Sequence, residues 1–356
     1  MNVTEGCSGK QIDIQKRIER IINALIINST ALDNIGLMNG KMGIAVFFYH
    51  LFRKESNLPY KEFADLLIDE VTQGINEGMP LNFENGLSGI CWGMEYLIQN
   101  SYIERDSIKI LAEADRWIYE KQHNLFNQSF NILDGLGGYI AYLVIRLKSL
   151  ENDKVQNHFL FKDNIIKCVH DLEHRTKKIN EFIEEPEKFD LTWNYPLFLL
   201  LLKKIYELDV YNYKAIQLLK GYLSPLSKGY TPKLQLNRWH LAVALYKIED
   251  ILPLTGQEKE IKKWVGNLKF EPDKLRLPKN NIFLKEGLAG IAFIFDNLFR
   301  YTKQVRFKEM ANKIFMEIFS QKEEEPEFAG FNVSKKNRNS GWGVLHGLAG
   351  LAWYKT

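Results

Sequence analysis

Five times along this chain a Gly-x-x-Gly step leads straight into a run of apolar residues. Gly40-Lys-Met-Gly43 precedes Ile44 to Phe48, Gly86-Leu-Ser-Gly89 precedes Ile90 to Leu97, and Gly135-Leu-Gly-Gly138 precedes Tyr139 to Val144. Gly287-Leu-Ala-Gly290 precedes Ile291 to Ile294, and Gly347-Leu-Ala-Gly350 precedes Leu351 to Tyr354. The second glycines are spaced by 46 residues (43 to 89), 49 (89 to 138), 152 (138 to 290) and 60 (290 to 350). Self-similarity at such periods marks an array of supersecondary units, none of which can bury its apolar face alone. The long interval leaves room for two degenerate units. One carries Asp190-Leu-Thr-Trp-Asn-Tyr-Pro-Leu-Phe-Leu-Leu, with Pro196 at the first glycine position. The other is Leu236 to Tyr246, with Trp239 and Ala242 at the glycine positions. Seven units result, whose apolar helices start near 40, 86, 135, 195, 238, 286 and 346.

Between the apolar helices the period changes to that of amphipathic ones. Ile12, Ile14, Ile18, Ile21, Ile22 and Leu25 share one stripe, with Gln15, Lys16 and Arg20 opposite. Similar helices are predicted near 60–75, 105–120, 164–176, 211–222, 256–267 and 304–320. The alternation predicts an all-α fold with two layers, amphipathic helices facing water and apolar helices buried behind them. Glycine inside a helix costs about 1 kcal/mol against alanine, so the repeated pairs imply a packing requirement. The expected one is close approach of a neighbouring backbone. The 356 residues then form a single domain, 1–356, although their length alone would suggest two.

Composition excludes several classes of function. Net charge is +3 and spread without a basic face, so no nucleic-acid partner is expected. The longest apolar run, Pro196 to Leu202, is far short of a membrane span. The three cysteines, Cys7, Cys91 and Cys168, form no C-x-x-C pair, and the first residues hold no apolar signal core. The chain therefore reads as a protein of the reducing cytoplasm. His170 and His174 have i, i+4 spacing but no third ligand nearby, which favours a solvated helix face. Lys335-Lys336-Asn337-Arg338-Asn339 lies in the longest connection, 321–341, expected to be a rim loop.

Gly36-Leu-Met-Asn-Gly-Lys-Met-Gly-Ile-Ala45, Asn85-Gly-Leu-Ser-Gly89, Glu286-Gly-Leu-Ala-Gly-Ile-Ala292 and Leu345-His-Gly-Leu-Ala-Gly-Leu351 resemble the lanthionine synthetase C-like family. The resemblance runs from about residue 12 to the end and implies an (α/α) toroid of seven helical hairpins. Family members are typically zinc enzymes that add cysteine thiols to dehydrated residues of a precursor peptide. The resemblance also implies two cysteines and a histidine as zinc ligands, at the fifth and sixth inner helices. Here those positions fall on Asn237, Lys285 and Glu286. Thiolate holds zinc and the metal lowers the substrate thiol's pKa; asparagine and lysine replace neither role. An acid and a histidine of the cyclases fall on Asn131 and Tyr195. His346-Gly347 resembles the tail of the family's Cys-His-Gly motif, but it lies in the seventh unit and Leu345 precedes it.

The residues before each glycine pair, Asn39, Asn85, Asp134, Tyr195, Arg238, Glu286 and His346, would gather at the inner-helix N-termini, near one mouth of a toroid. They have two readings. They cap their helices, as Asn and Asp do well, or they reach into the cavity, where helix N-termini favour anionic or carbonyl groups. Asp134, Glu286 and His346 are the candidate acid–base groups. Asn85, Tyr195, Arg238, Trp239 and His240 are the candidate binding residues, although His240 also suits a core position. No cofactor is expected, because the zinc positions are altered. The leading expectation is a zinc-free member acting in ribosomal peptide maturation, binding a precursor peptide or a peptide-modifying enzyme. Two alternatives stay open: a thioether-forming cyclase using other residues, and a glycoside hydrolase working through paired carboxylates such as Asp134 and Glu286.

Overall fold

The computed structural model describes residues 4–126, 129–150, 156–175, 179–254, 256–266 and 281–320. Among them are fourteen α-helices, one 3₁₀ turn and no strand. The chain divides into two compact units, one drawn from Met1–Gly74 with Leu277–Thr356 and the other from Ile75–Arg276.

The first unit holds α1 (Thr4–Ser29), α2 (Lys41–Glu55), α3 (Leu58–Gly74), α13 (Leu288–Thr302) and α14 (Val305–Ser320). Helix α2 packs on α3 and α13 on α14, while α1 touches α2 and α14. Each pair is a tight hairpin. At the ends of α2 and α13, Ser56 and Lys303 adopt the left-handed conformation, with φ of 55° and 57°. Their amides return to Phe52 O and Phe299 O at 2.7 and 2.8 Å, which stops the helix and turns the chain.

The second unit holds α4 (Leu87–Gln99), α5 (Ser107–Lys121), α6 (Leu136–Leu150), α7 (Gln156–Arg175), α8 (Ile179–Ile183), α9 (Asn194–Glu207), α10 (Asn212–Ser227), α11 (Gln235–Ile248) and α12 (Glu258–Gly266). Helices α4, α6, α9 and α11 lie side by side as an inner row, and α5, α7, α10 and α12 each back onto their own inner helix. This is the two-layer order that the alternating periodicity predicts. Six of the seven apolar helices are seen within one to three residues of their expected starts; the seventh, near 346, lies outside the described residues, as does the 321–341 loop.

Burial follows the two sequence patterns. In α3 the buried residues are Ala64, Leu67, Ile68 and Val71, a single stripe of one helical face. In α2 every residue from Lys41 to Tyr49 is buried. Pro196 sits in the first turn of α9, where a missing N–H leaves no intrahelical bond unmade.

The glycines answer to a different constraint from the one expected. Gly40, Gly86 and Gly287 are the N-cap residues of their helices, in extended backbone and with no side-chain cap. The loop before each helix folds back over them. The first helical N–H donates to the carbonyl seven residues earlier in four units: Lys41 to Asn34, Leu87 to Pro80, Leu136 to Ser129 and Leu288 to Asn281, at 2.9–3.0 Å. A Cβ on Gly86 or Gly135 would stand 2.2 Å from the oxygen of Pro80 or Ser129. At these first glycines the pressure therefore comes from the helix's own preceding loop, not from a neighbouring helix. Gly86→Ala is expected to cost about 1–3 kcal/mol by overpacking. Gly221→Ala, mid-helix in α10 with nothing within 4 Å of its Cβ, is expected to add about 0.5–1 kcal/mol. Urea unfolding of the two variants checks both signs; equal effects would refute the loop constraint.

Candidate functional site

The folded-back loops decide what the inner-helix N-termini can offer. Short polar side chains shape them: Asn34 Oδ1 accepts from Gly36 N at 2.8 Å, Asn82 Oδ1 from Asn85 N at 2.9 Å, Asn131 Oδ1 from Leu133 N at 2.7 Å and Asn281 Oδ1 from Phe283 N at 3.1 Å. Asn131 thus serves its own loop. Loops of successive units also interlock, since Phe83 N and Glu84 N both donate to Leu133 O. Phe83 Cβ fills the place where Gly138 has none, 2.4 Å from an ideal Cβ. The capping reading is corrected: the glycine is the cap residue, and Asn39 and Asn85 precede it. So is the anion-site reading for α2, α6 and α13. The first two amides of each are taken by loop carbonyls, so they are not free to bind a ligand.

The expected site residues then separate. Asp134 is exposed and Asn85 half-buried. Glu286 is half-buried and pairs with Lys285 at 3.5 Å. His346 lies outside the described residues. Tyr195, expected to bind, is in the core, where its hydroxyl donates to Tyr222 O at 2.7 Å and burial raises its pKa. Trp239 is buried too and donates through Nε1 to Trp264 O at 3.0 Å, holding α11 to α12. Arg238 spends its guanidinium on the loop before its own helix, donating to Pro232 O, Lys233 O and Gln235 Oε1. These three are structural contacts of α9 and α11, not an open binding surface. His240 is 4% exposed, set edge-on to Phe189 and Trp193. Burial, helped by the charge of Lys247, lowers its pKa to about 3, so it is neutral.

The positions equated with zinc ligands have their own engagements. Asn237 is fully buried, and its Nδ2 donates to Glu185 Oε1 at 3.0 Å. Glu185 also accepts from Lys233 N and Leu234 N, tying the loop before α9 to the start of α11. Lys285 and Glu286 pair with each other. An amide, an ammonium and a carboxylate so arranged do not fit a thiolate–imidazole zinc centre. Among the described residues no group of three or more His, Cys, Asp or Glu is placed to hold a metal ion. Cys91 and Cys168 are buried, and burial raises both thiols well above their usual range. Neither is a nucleophile at neutral pH. His170 is exposed beside Glu173, at 3.8 Å, as a solvated face requires.

One cluster was missed by the sequence reading. Arg146 on α6 is 1% exposed and donates to Glu95 Oε2 on α4 at 2.6 Å, and to Asp115 Oδ2 on α5 at 2.5 Å. Tyr142 OH also donates to Asp115, and Arg146 reaches Ser107 and Ser149 Oγ at 3.3 Å. Glu95 is fully buried and also accepts from Gln99 Nε2. Burial raises the Asp115 pKa against the pull of Arg146. The signal was present: a lone acid in the apolar α4 and a lone arginine in the apolar α6, about one repeat apart.

An all-helical chain of paired inner and outer helices defines the α/α hairpin-repeat class. Nine solved chains match this structure. One of them, nisin cyclase, superimposes with a TM-score of 0.65 at 14% identity, over 96% of this chain and 93% of its own. The fold is thus that of the α/α toroids. The model of the family described as "Lanthionine synthetase C-like protein" matches residues 32–192. The match ends before α9 and so before Asn237, Lys285 and Glu286. No curated protein sequence matches the chain. No described helix is long and apolar enough to cross a membrane.

Proposed function

We propose that this chain acts in ribosomal peptide modification as a zinc-free lanthionine synthetase C-like protein, binding a precursor peptide or the enzyme that modifies it. The family match over 32–192 supports the peptide-modification setting, and the similarity to a nisin cyclase agrees with it. The observation that carries the zinc-free part is the identity and engagement of Asn237, Lys285 and Glu286. The first is hydrogen-bonded to Glu185, and the other two are ion-paired with each other. The chemistry of the family's cyclases needs a metal-bound thiolate, and none of these side chains supplies one.

Elemental analysis of the purified protein tests the metal part: well under one zinc per chain is expected even after incubation with zinc and dialysis. Stoichiometric zinc would overturn it. Fluorescence anisotropy with labelled linear precursor peptides rich in Ser, Thr and Cys tests the binding part. Saturable binding without thiol consumption is expected; thiol loss on a dehydrated peptide would instead establish a cyclase.

A further inference from the structure

A cavity of about 320 Å³ opens between α5, α6 and α7 in the second unit. Its wall includes Asp115, Arg116, Tyr142, Leu160, Phe161 and Asn164. Asn164 is 3% exposed, and among the described residues its Oδ1 has no hydrogen-bond partner. A buried acceptor left unpaired is costly, so a partner from outside is favoured. Only a donor can supply it, which rejects carboxylates and phosphates.

Charge points the same way. The cluster behind the cavity sets two carboxylates, Glu95 and Asp115, against one guanidinium, Arg146. Asp115 is the member that reaches the cavity, with 13% of its side chain exposed. The local excess is negative, and a cation entering the cavity would balance it. Arg116 stands exposed at the rim, where solvent and salt screen its charge. Leu160, Phe161 and Tyr142 supply apolar and aromatic wall suited to an alkyl stem. The volume is at the lower end of small-ligand sites.

We propose that this cavity binds a primary ammonium on a short aliphatic stem, as carried by a free alkylamine or a lysine side chain, with Asn164 Oδ1 as its hydrogen-bond acceptor. The proposal does not depend on the peptide-modification reading.

Calorimetric titration of the full chain with n-butylamine hydrochloride, n-butanol and sodium butyrate tests it. Butylammonium is expected to bind at least tenfold more tightly than either comparator. Asn164→Leu removes the acceptor and Leu160→Trp narrows the entrance at a position 39% exposed. Each is expected to weaken binding at least tenfold, and the latter to leave the urea midpoint unchanged. N-acetyl-lysine amide against N-acetyl-norleucine amide then distinguishes the sources. Binding of the lysine amide assigns a peptide side chain, and binding of butylammonium alone assigns a free amine. Failure of both amines, equal binding of butanol, or full affinity in a folded Leu160→Trp variant would overturn the proposal.

Discussion

Arg146→Met is expected to destabilise the protein by about 3–5 kcal/mol, the usual cost of removing one partner from a buried ionic network. The side chain joins α6 to α4 through Glu95 and to α5 through Asp115, at 2.6 and 2.5 Å. Methionine keeps the apolar stem but leaves two carboxylates without a counter-charge. Glu95, fully buried, has the least access to water and bears most of the penalty. Urea unfolding followed by tryptophan fluorescence measures the loss. Adding Glu95→Gln to the Met variant is expected to recover part of it, because the uncharged amide no longer needs the guanidinium. A loss below about 1 kcal/mol, or no recovery in the double variant, would show that the network does not carry the α4–α5–α6 packing.

The second large effect is acid sensitivity set by His240. Its folded-state pKa is about 3 against an unfolded value of 6.5, because burial among Phe189 and Trp193 disfavours the imidazolium. Between these values the unfolded chain binds the extra proton. Stability is thus fully present above pH 6.5 and is lost as pH falls towards 3, by up to about 4–5 kcal/mol. His240→Leu, similar in volume and without the unpartnered Nδ1, is expected to flatten that dependence and to cost little at pH 7. Urea midpoints at a series of pH values from 7 to 4 check it. Parallel curves for the two proteins would mean that other groups govern acid unfolding.

Several features were legible because one residue type has one physical use. Apolar runs alternating with amphipathic stripes anticipated the order of the described inner and outer helices, the six described apolar ones starting close to where expected. The glycine pairs were legible as a repeat but not as a mechanism. Their spacing cannot reveal that Pro80 O or Ser129 O lies where the Cβ would be. Tyr195, Arg238 and Trp239 looked like site residues for a related reason. They precede or open apolar helices of the repeat, where the resemblance led a site to be expected, yet each polar group is used by a neighbour far off in sequence or by a loop carbonyl.

Sequence by itself determined the class of fold, the alternation of apolar and amphipathic helices, and the residue types at Asn237, Lys285 and Glu286. Those depend on local periodicity and on residue identity, which need no coordinates. Tertiary structure alone decided which charges meet. Glu95, Asp115 and Arg146 come from three helices, and their pairing depends on the side-by-side packing of α4 and α6 with α5 behind them. It alone showed Asn237 held by Glu185, and it alone placed Asn164 in a cavity wall with its Oδ1 unpartnered among the described residues. Hydrogen bonds and buried charge are set by distances of a few ångströms between residues tens of positions apart, and no local pattern encodes them.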